Sequence, residues 1–489
     1  PIPVQFRPPG IPPAPPGVVA PRGPWDIPAQ PGPPDGSYCW GYQAPPLPPP
    51  PAPRRGRWPI WLALGVVAVL LLCVAPAAFV VSRLPLGADA VQAGGSRSDG
   101  RGPAPSPRAD APLHDRIPWV RERITEALDA QSAALLGGNL RKFLSPVDAK
   151  ATTLPGELTR RYGSLRELRT VKYTQEIVRG PSPASRSGGR QEWSARVAVG
   201  YCFVAADCVP DSVFVDTTWV ETASGPRLLR YGASAEDGNG PRPWEISNLR
   251  ALAGKRTVVA ATEAHASRLP ALLREAEKAA ANADKFVLPG GSPPDRYRIF
   301  LAGPAEWKRW YGGGLPAWAV GFAKPVGERR LEVVLNVSKI EDGFLDELLR
   351  HELGHVVTLN SRNIRYDGNF WLIEGMAEYI QENGRPLATY DGRTVVRRYL
   401  NQTRWNGQVN VGPPTQGTPE WQVGAKYGIS YYAVRRIAER FGRAKLMAFY
   451  SAVVLEPGGG LDASARRVLG VSWSNVNNDC ARYLRRAVG

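Results

Sequence analysis

The alternation of apolar and polar positions divides the chain into stretches of different kinds. Residues 1–53 carry 21 prolines, few aliphatic side chains and no periodicity. Such a stretch buries too little apolar surface to offset the entropy of ordering it, so residues 1–57 are predicted to form a disordered, polyproline-II-like tail. From Pro59 to Val81 the chain runs 23 residues without a charge. As a helix this run is about 34 Å long, enough to cross a hydrocarbon core. Arg54, Arg55 and Arg57 precede it and only Arg83 follows closely. Residues 58–82 are therefore predicted to be a single transmembrane helix, with the N-terminal tail in the cytoplasm and everything downstream outside it. Trp58 and Trp61 suit the headgroup belt, and Pro76 either kinks the span or marks its outer end. A cleaved signal peptide is disfavoured, because the run is too long and lies too far from the N-terminus. Residues 83–113, rich in Gly, Ser, Pro, Ala and mixed charge, read as a flexible linker.

Beyond the linker the periods become those of folded elements. Arg116 to Leu144 reads as an amphipathic helix and Pro155 to Leu168 as a second, with Leu158, Leu165 and Leu168 on its apolar side. Four β-rich runs follow at Val171–Val178, Trp193–Val204, Val213–Val220 and Arg227–Tyr231. Helices followed by strands predict an α+β accessory domain over residues 114–245. Its order of elements resembles the curved-sheet, nuclear-transport-factor-like fold. It carries no chemical constellation, so a spacing or substrate-docking role is the expectation. A second domain is expected over residues 246–489. It has strands at Val258–Ala261 and Tyr297–Leu301, and a helix from Glu263 to Phe286 that Pro270 kinks or delays. Trp318–Phe322 and Leu331–Val337 read as a hairpin or as neighbouring strands, and helices run from there to the end.

Composition changes this picture little. The 489 residues carry a net charge of +17 with pI near 9.8, but no nucleic-acid motif and no basic helix interleaved with aromatics, so no nucleic-acid partner is expected. The excess reads as an Arg-rich solvated surface or as attraction to an anionic cell envelope. The five cysteines form no CxxC pair, which argues against a cysteine metal site. Cys202 and Cys208 either close a small disulfide loop in an oxidising compartment or stay as two thiols. The chain begins at Pro1 and its first methionine is Met376, so the natural N-terminus is expected upstream.

The chemistry concentrates in FLDELLRHELGHVVTL, where two of the four histidines, His351 and His355, stand four apart with Glu352 between them. On a helix those positions lie about 40° apart, so both imidazoles face one side and can bind one tetrahedral ion. Glu352 then projects beside the metal, placed to take a proton from a water that the metal activates. Eighteen residues after His355 comes Glu374, in FWLIEGMAEYI, with Glu378 on the same helical face. A polar turn between the two helices (Asn360, Ser361, Arg362 and Asn363, then Asp367, Gly368 and Asn369) would bring Glu374 back to the imidazoles. Two His and one Glu leave a fourth position open, as catalytic zinc requires, and imidazole with carboxylate suits Zn2+.

HELGH, an 18-residue gap and WLIEGMAEY resemble the gluzincin zinc metallopeptidases, in particular bacterial peptidase MA-like domains and the aminopeptidases sharing WLxEGxA. The resemblance covers roughly residues 250–455. It implies a thermolysin-like (zincin) fold, with His351, His355 and Glu374 as metal ligands, Glu352 as general base, and Glu378 as a carboxylate that orients His351. It also implies a downstream group that hydrogen-bonds the oxyanion. In KYGISYYAVRRIAERFG the best match is Tyr427, with Tyr431 and Tyr432 as rivals. A GxMEN-like segment that would hold a substrate's free N-terminus is missing, which favours endopeptidase action.

The sequence therefore predicts a membrane-anchored, extracytoplasmic Zn2+ peptidase. It would act on peptide or protein substrates by Glu-assisted attack of metal-activated water. Its partner would be the bilayer, through one helix, with the tail either a plain solvated segment or a ligand for a cytoplasmic protein that binds Pro-rich motifs. The alternative is a non-catalytic envelope protein whose metal site serves sensing, or a scaffold working through its Pro-rich tail.

Overall fold

The computed structural model describes residues 107–108, 111–187, 189–313, 319–326, 330–340, 343–359, 366–415, 417–456 and 460–489. The predicted tail (1–57), transmembrane helix (58–82) and nearly all of the linker (83–113) lie outside these residues, as does Trp318. Among the described residues no helix is long and apolar enough to cross a membrane. The described chain is mixed α and β, with two sheets and thirteen α-helices.

The first half opens with helices α1 (Leu113–Leu136), α2 (Leu140–Leu144) and α3 (Leu154–Glu167). The single helix predicted from Arg116 to Leu144 is thus two. Gly138 adopts φ 71°, a conformation glycine reaches without steric cost, and Asn139 caps the next helix by accepting from the Lys142 N–H. Strands β1 (Thr170–Ser187), β2 (Arg190–Phe203), β3 (Asp211–Thr222) and β4 (Gly225–Ala233) follow. They form an antiparallel meander in the order β1-β2-β3-β4. Cys202 and Cys208 are joined as a disulfide across the turn from β2 to β3, with Cα atoms 6.1 Å apart.

After the short helix α4 (Pro243–Ile246) come β5 (Leu249–Ala253), β6 (Thr257–Thr262), α5 (Leu269–Ala283), β7 (Tyr297–Ala302), α6 (Pro304–Trp307), β8 (Gly321–Pro325) and β9 (Leu331–Asn336). Pro270 falls in the first turn of α5, preceded by a 3-10 segment at Glu263–Arg268, so it delays the α-helix and does not kink it. The strand order is β5-β6-β7-β9-β8. β6, β7 and β9 run parallel, and β5 and β8 close the two sides antiparallel. Of the run expected over Trp318–Phe322, Gly321 and Phe322 lie in β8, which pairs with β9 as a hairpin, Gly321 opposite Leu335.

The central strands are buried on both faces, and their side chains alternate between two cores as strand geometry dictates. Val259, Ala261, Ile299, Leu301, Ala323, Val333 and Leu335 turn to one core. That core is completed by α5 and by the helices that follow: α7 (Leu345–Thr358), α8 (Tyr366–Gln381), α9 (Arg393–Gln402), α10 (Glu420–Phe441), α11 (Arg443–Tyr450), α12 (Leu461–Ser464) and α13 (Trp473–Val488). Val258, Ala260, Phe300, Ala302, Phe322 and Val334 turn to the other, among Trp119, Trp193, Trp219 and Trp244 of the first half. The two halves therefore meet in the second of these cores.

Candidate metal centre

Helix α7 carries His351, Glu352 and His355, and α8 carries Glu374 and Glu378. In α7 the residues Leu349, Leu353, Val356 and Val357 form a buried stripe, the spacing expected of a helix packed on a sheet. Asp346 and Glu347 in its first turn complement the exposed N–H groups at that end. Arg385, just beyond α8, pairs with Asp346, Glu347 and Glu382 and so ties the end of α8 to the start of α7.

Of the two glycines in the motifs, Gly375 sets how closely the helices approach, while Gly354 leaves room for a methyl. A Cβ on Gly354 would touch Ala377 and Ile380 of α8 at 3.4 Å, while one on Gly375 would lie 2.5 Å from the Ser430 carbonyl oxygen of α10. Helix α8 is thus held between α7 and α10, with Glu374 beside the tightest point of contact.

At that point three donors converge. Nε2 of His351 and Nε2 of His355 each stand 3.3 Å from the same Glu374 Oε2, and one donor atom from each residue lies within 4.8 Å of the others. For four-coordinate zinc with bonds of about 2.0–2.2 Å, adjacent ligand atoms stand about 3.3–3.6 Å apart. The two imidazole-to-carboxylate distances and the donor chemistry both fit such an ion. The side chains are sequestered: Glu374 is 2 % exposed, His355 3 % and Glu352 5 %.

Electrostatics follow from this packing. Burial disfavours the His351 cation, but hydrogen bonds to Glu374 and Glu378 and their charges outweigh it and hold its pKa well above 6.5. Burial also opposes the Glu374 anion, yet the His355 charge and hydrogen bonds from both imidazoles hold its carboxyl well below the usual range. Among the described residues Glu352 has no such direct partner. Burial pushes it up to about 7, with the imidazoles pulling it back down. Its Oε2 is buried with no hydrogen-bond partner among the described residues, and its Oε1 would lie 3.1 Å from a Cβ on Gly321 of β8. A carboxyl so placed is characteristic of functional sites.

The structure also places the flanking residues expected from the sequence. Glu378 Oε1 lies 3.5 Å from His351 Nδ1. The Tyr427 ring sits 6.1 Å from the His351 ring, centroid to centroid, and 5.4 Å from Phe370. Tyr431 and Tyr432 pack instead around Tyr390, and Tyr431 accepts a hydrogen bond from Arg435.

Tyr390 is the residue that motif reasoning missed. Its hydroxyl donates to Glu378 Oε2 at 3.0 Å, and its ring lies 4.3 Å from that of Tyr431. Burial, and then Glu378, raise its pKa well above 10, so it remains a donor. A chain of contacts thus runs from Tyr390 through Glu378 to His351. The signal that would have found it is the demand that both oxygens of a buried carboxylate be satisfied, but its position between two helices has no periodic mark.

The chain matches no protein-family model and no curated protein.

Proposed function

We propose that this protein is a zinc-dependent peptidase of the gluzincin type, with a thermolysin-like arrangement of residues 246–489, and that it cleaves within peptide chains. The observation that carries the reading is the convergence of His351, His355 and Glu374, each imidazole at tetrahedral-edge spacing from the carboxylate, beside a buried carboxyl whose Oε2 has no hydrogen-bond partner among the described residues. A structural site needs no such carboxyl. The antiparallel strand β8 at the sheet edge beside Glu352 keeps with the thermolysin-like reading. The meander packed with α1–α3 keeps with a nuclear-transport-factor-like first half.

A zinc ion held by these residues would polarise the scissile carbonyl and lower the pKa of a water towards about 7. Glu352 accepts the proton of the attacking water at its carboxylate, a role for which the deprotonated form is required. Glu378 holds Nδ1 of His351, so that Nε2 presents its lone pair to the metal. Tyr427 donates its hydroxyl to the developing oxyanion. We further propose that the apolar run 58–82 anchors the chain in the membrane, with the catalytic part outside the cytoplasm.

The test is Glu352→Gln, assayed on casein or a peptide library with zinc content measured in parallel. The reading expects cleavage to fall by about 10²–10⁴ with zinc retained. Equal cleavage by both proteins would reject the mechanism.

A further inference from the structure

The hairpin β8–β9 lies between the metal centre and the first half of the chain. Gly321 lies against Glu352 and Leu348 of α7, and Ala323 joins the helical core. The intervening Phe322 turns the other way, meeting Trp307 edge-on at 5.4 Å and Tyr311 at 6.4 Å. One face of β8 therefore belongs to the helical core and the other to the core that the first half shares, and displacing β8 on one side displaces it on the other.

The far end of the hairpin is tied down by two arginines. Arg330, next to the start of β9, pairs with Asp211 at 3.2 Å and Asp295 at 3.6 Å and donates to the Val209 carbonyl at 3.1 Å. Val209 and Asp211 follow directly on the Cys202–Cys208 disulfide loop. Arg242 comes from the first half and is fully buried. It donates to the Val326 carbonyl at 3.1 Å and pairs with Asp237 at 3.0 Å. Between them, Tyr311 donates to Glu332 of β9 at 2.6 Å. Burying guanidinium groups is unfavourable unless their bonds are well made, and a planar fork holds its acceptors in fixed geometry. These contacts are suited to fixing position more than to adding stability.

We propose that the first half of the chain is the scaffold that sets β8 against Glu352, with Arg330 and Arg242 as its positioning residues. Its consequence for catalysis rests on the peptidase reading; the fastening of the hairpin does not. Loosening the hairpin would shift Gly321 from its place against Glu352 and weaken substrate binding without touching the ligands.

The experiment compares the full-length wild type with Arg330→Ala and with Arg330→Lys. The lysine variant keeps one ion pair but not the fork, and guards against a misfolded alanine variant. Amide exchange over 321–326 and 331–336 should quicken by about tenfold or more in Arg330→Ala, and less in Arg330→Lys, while α7 and α8 keep wild-type protection. Zinc stoichiometry should stay unchanged, and KM should rise by a larger factor than kcat falls. Wild-type exchange in the hairpin of both variants would overturn the proposal. So would acceleration spread evenly through α7 and α8, which marks a general stabiliser. A wild type that takes up no zinc would end the peptidase reading, while exchange would still decide the fastening.

Discussion

Gly375→Ala tests how the metal centre is built. The added methyl would lie 2.5 Å from the Ser430 oxygen, 2.8 Å from its carbonyl carbon and 2.8 Å from Val434 Cγ2. Two of the three obstacles are backbone, so no rotamer change relieves them. Ordinary contact requires α8 and α10 to separate by about half an ångström or more, and overpacking of this kind costs about 1–3 kcal/mol. Replacing a helical glycine by alanine returns about 1 kcal/mol of propensity, leaving a net loss of up to about 2 kcal/mol. Glu374 adjoins Gly375 and moves with it, so the 3.3 Å spacing to both imidazoles is disturbed and zinc affinity should fall by about tenfold. Gly354→Ala is the control, because its methyl meets α8 at 3.4 Å, an ordinary contact, and should be neutral or slightly stabilising. Urea melts and competitive zinc titration of both variants provide the assay. A Gly375→Ala protein as stable as wild type with unchanged zinc affinity would refute the reasoning.

Four further outcomes are expected. Tyr390→Phe removes the donor to Glu378 and should weaken zinc binding by about tenfold, read by chelator competition; an unchanged Kd would show that Glu378 needs no such support. In the metal-free protein His351 holds its proton above pH 6.5, and zinc must displace it. Zinc affinity should therefore rise by about tenfold per pH unit through the neutral range, and a pH-independent Kd would exclude this. The same raised pKa stabilises the metal-free fold fully below 6.5, and that contribution is lost as pH rises through the folded value, so urea melts of metal-free protein should weaken on the alkaline side. Cys480 is buried, and burial pushes its thiol up to about 12, so alkylation followed by peptide mapping should leave it unmodified until the protein unfolds.

Much of the site could be read from the sequence, because its spacings are helical and local. His351, Glu352 and His355 share one helix, and Glu374 needed only a return helix to meet them. The sequence left Tyr427 with two rivals; its ring lies beside that of His351, while theirs pack around Tyr390. The strands of the first half were visible as apolar alternation. β1 extends past Val178 to Ser187 although Gly180, Pro181 and Pro183 read as breakers, since irregular pairing with β2 accommodates them. The short strand β5 has one fully buried residue, Leu249, too little to produce a period. Tyr390, Gly321 and Arg330 act through contacts between elements far apart in sequence, and their role is invisible until the chain has folded.

The central claim is that two imidazoles and one carboxylate hold zinc. Zinc K-edge X-ray absorption of the purified protein tests it most directly. The account predicts one zinc per chain, four light-atom neighbours at about 2.0–2.1 Å with the outer-shell signature of two imidazoles, and loss of that spectrum in Glu374→Ala. A spectrum dominated by sulfur at about 2.3 Å, or one that Glu374→Ala leaves unchanged, would contradict it.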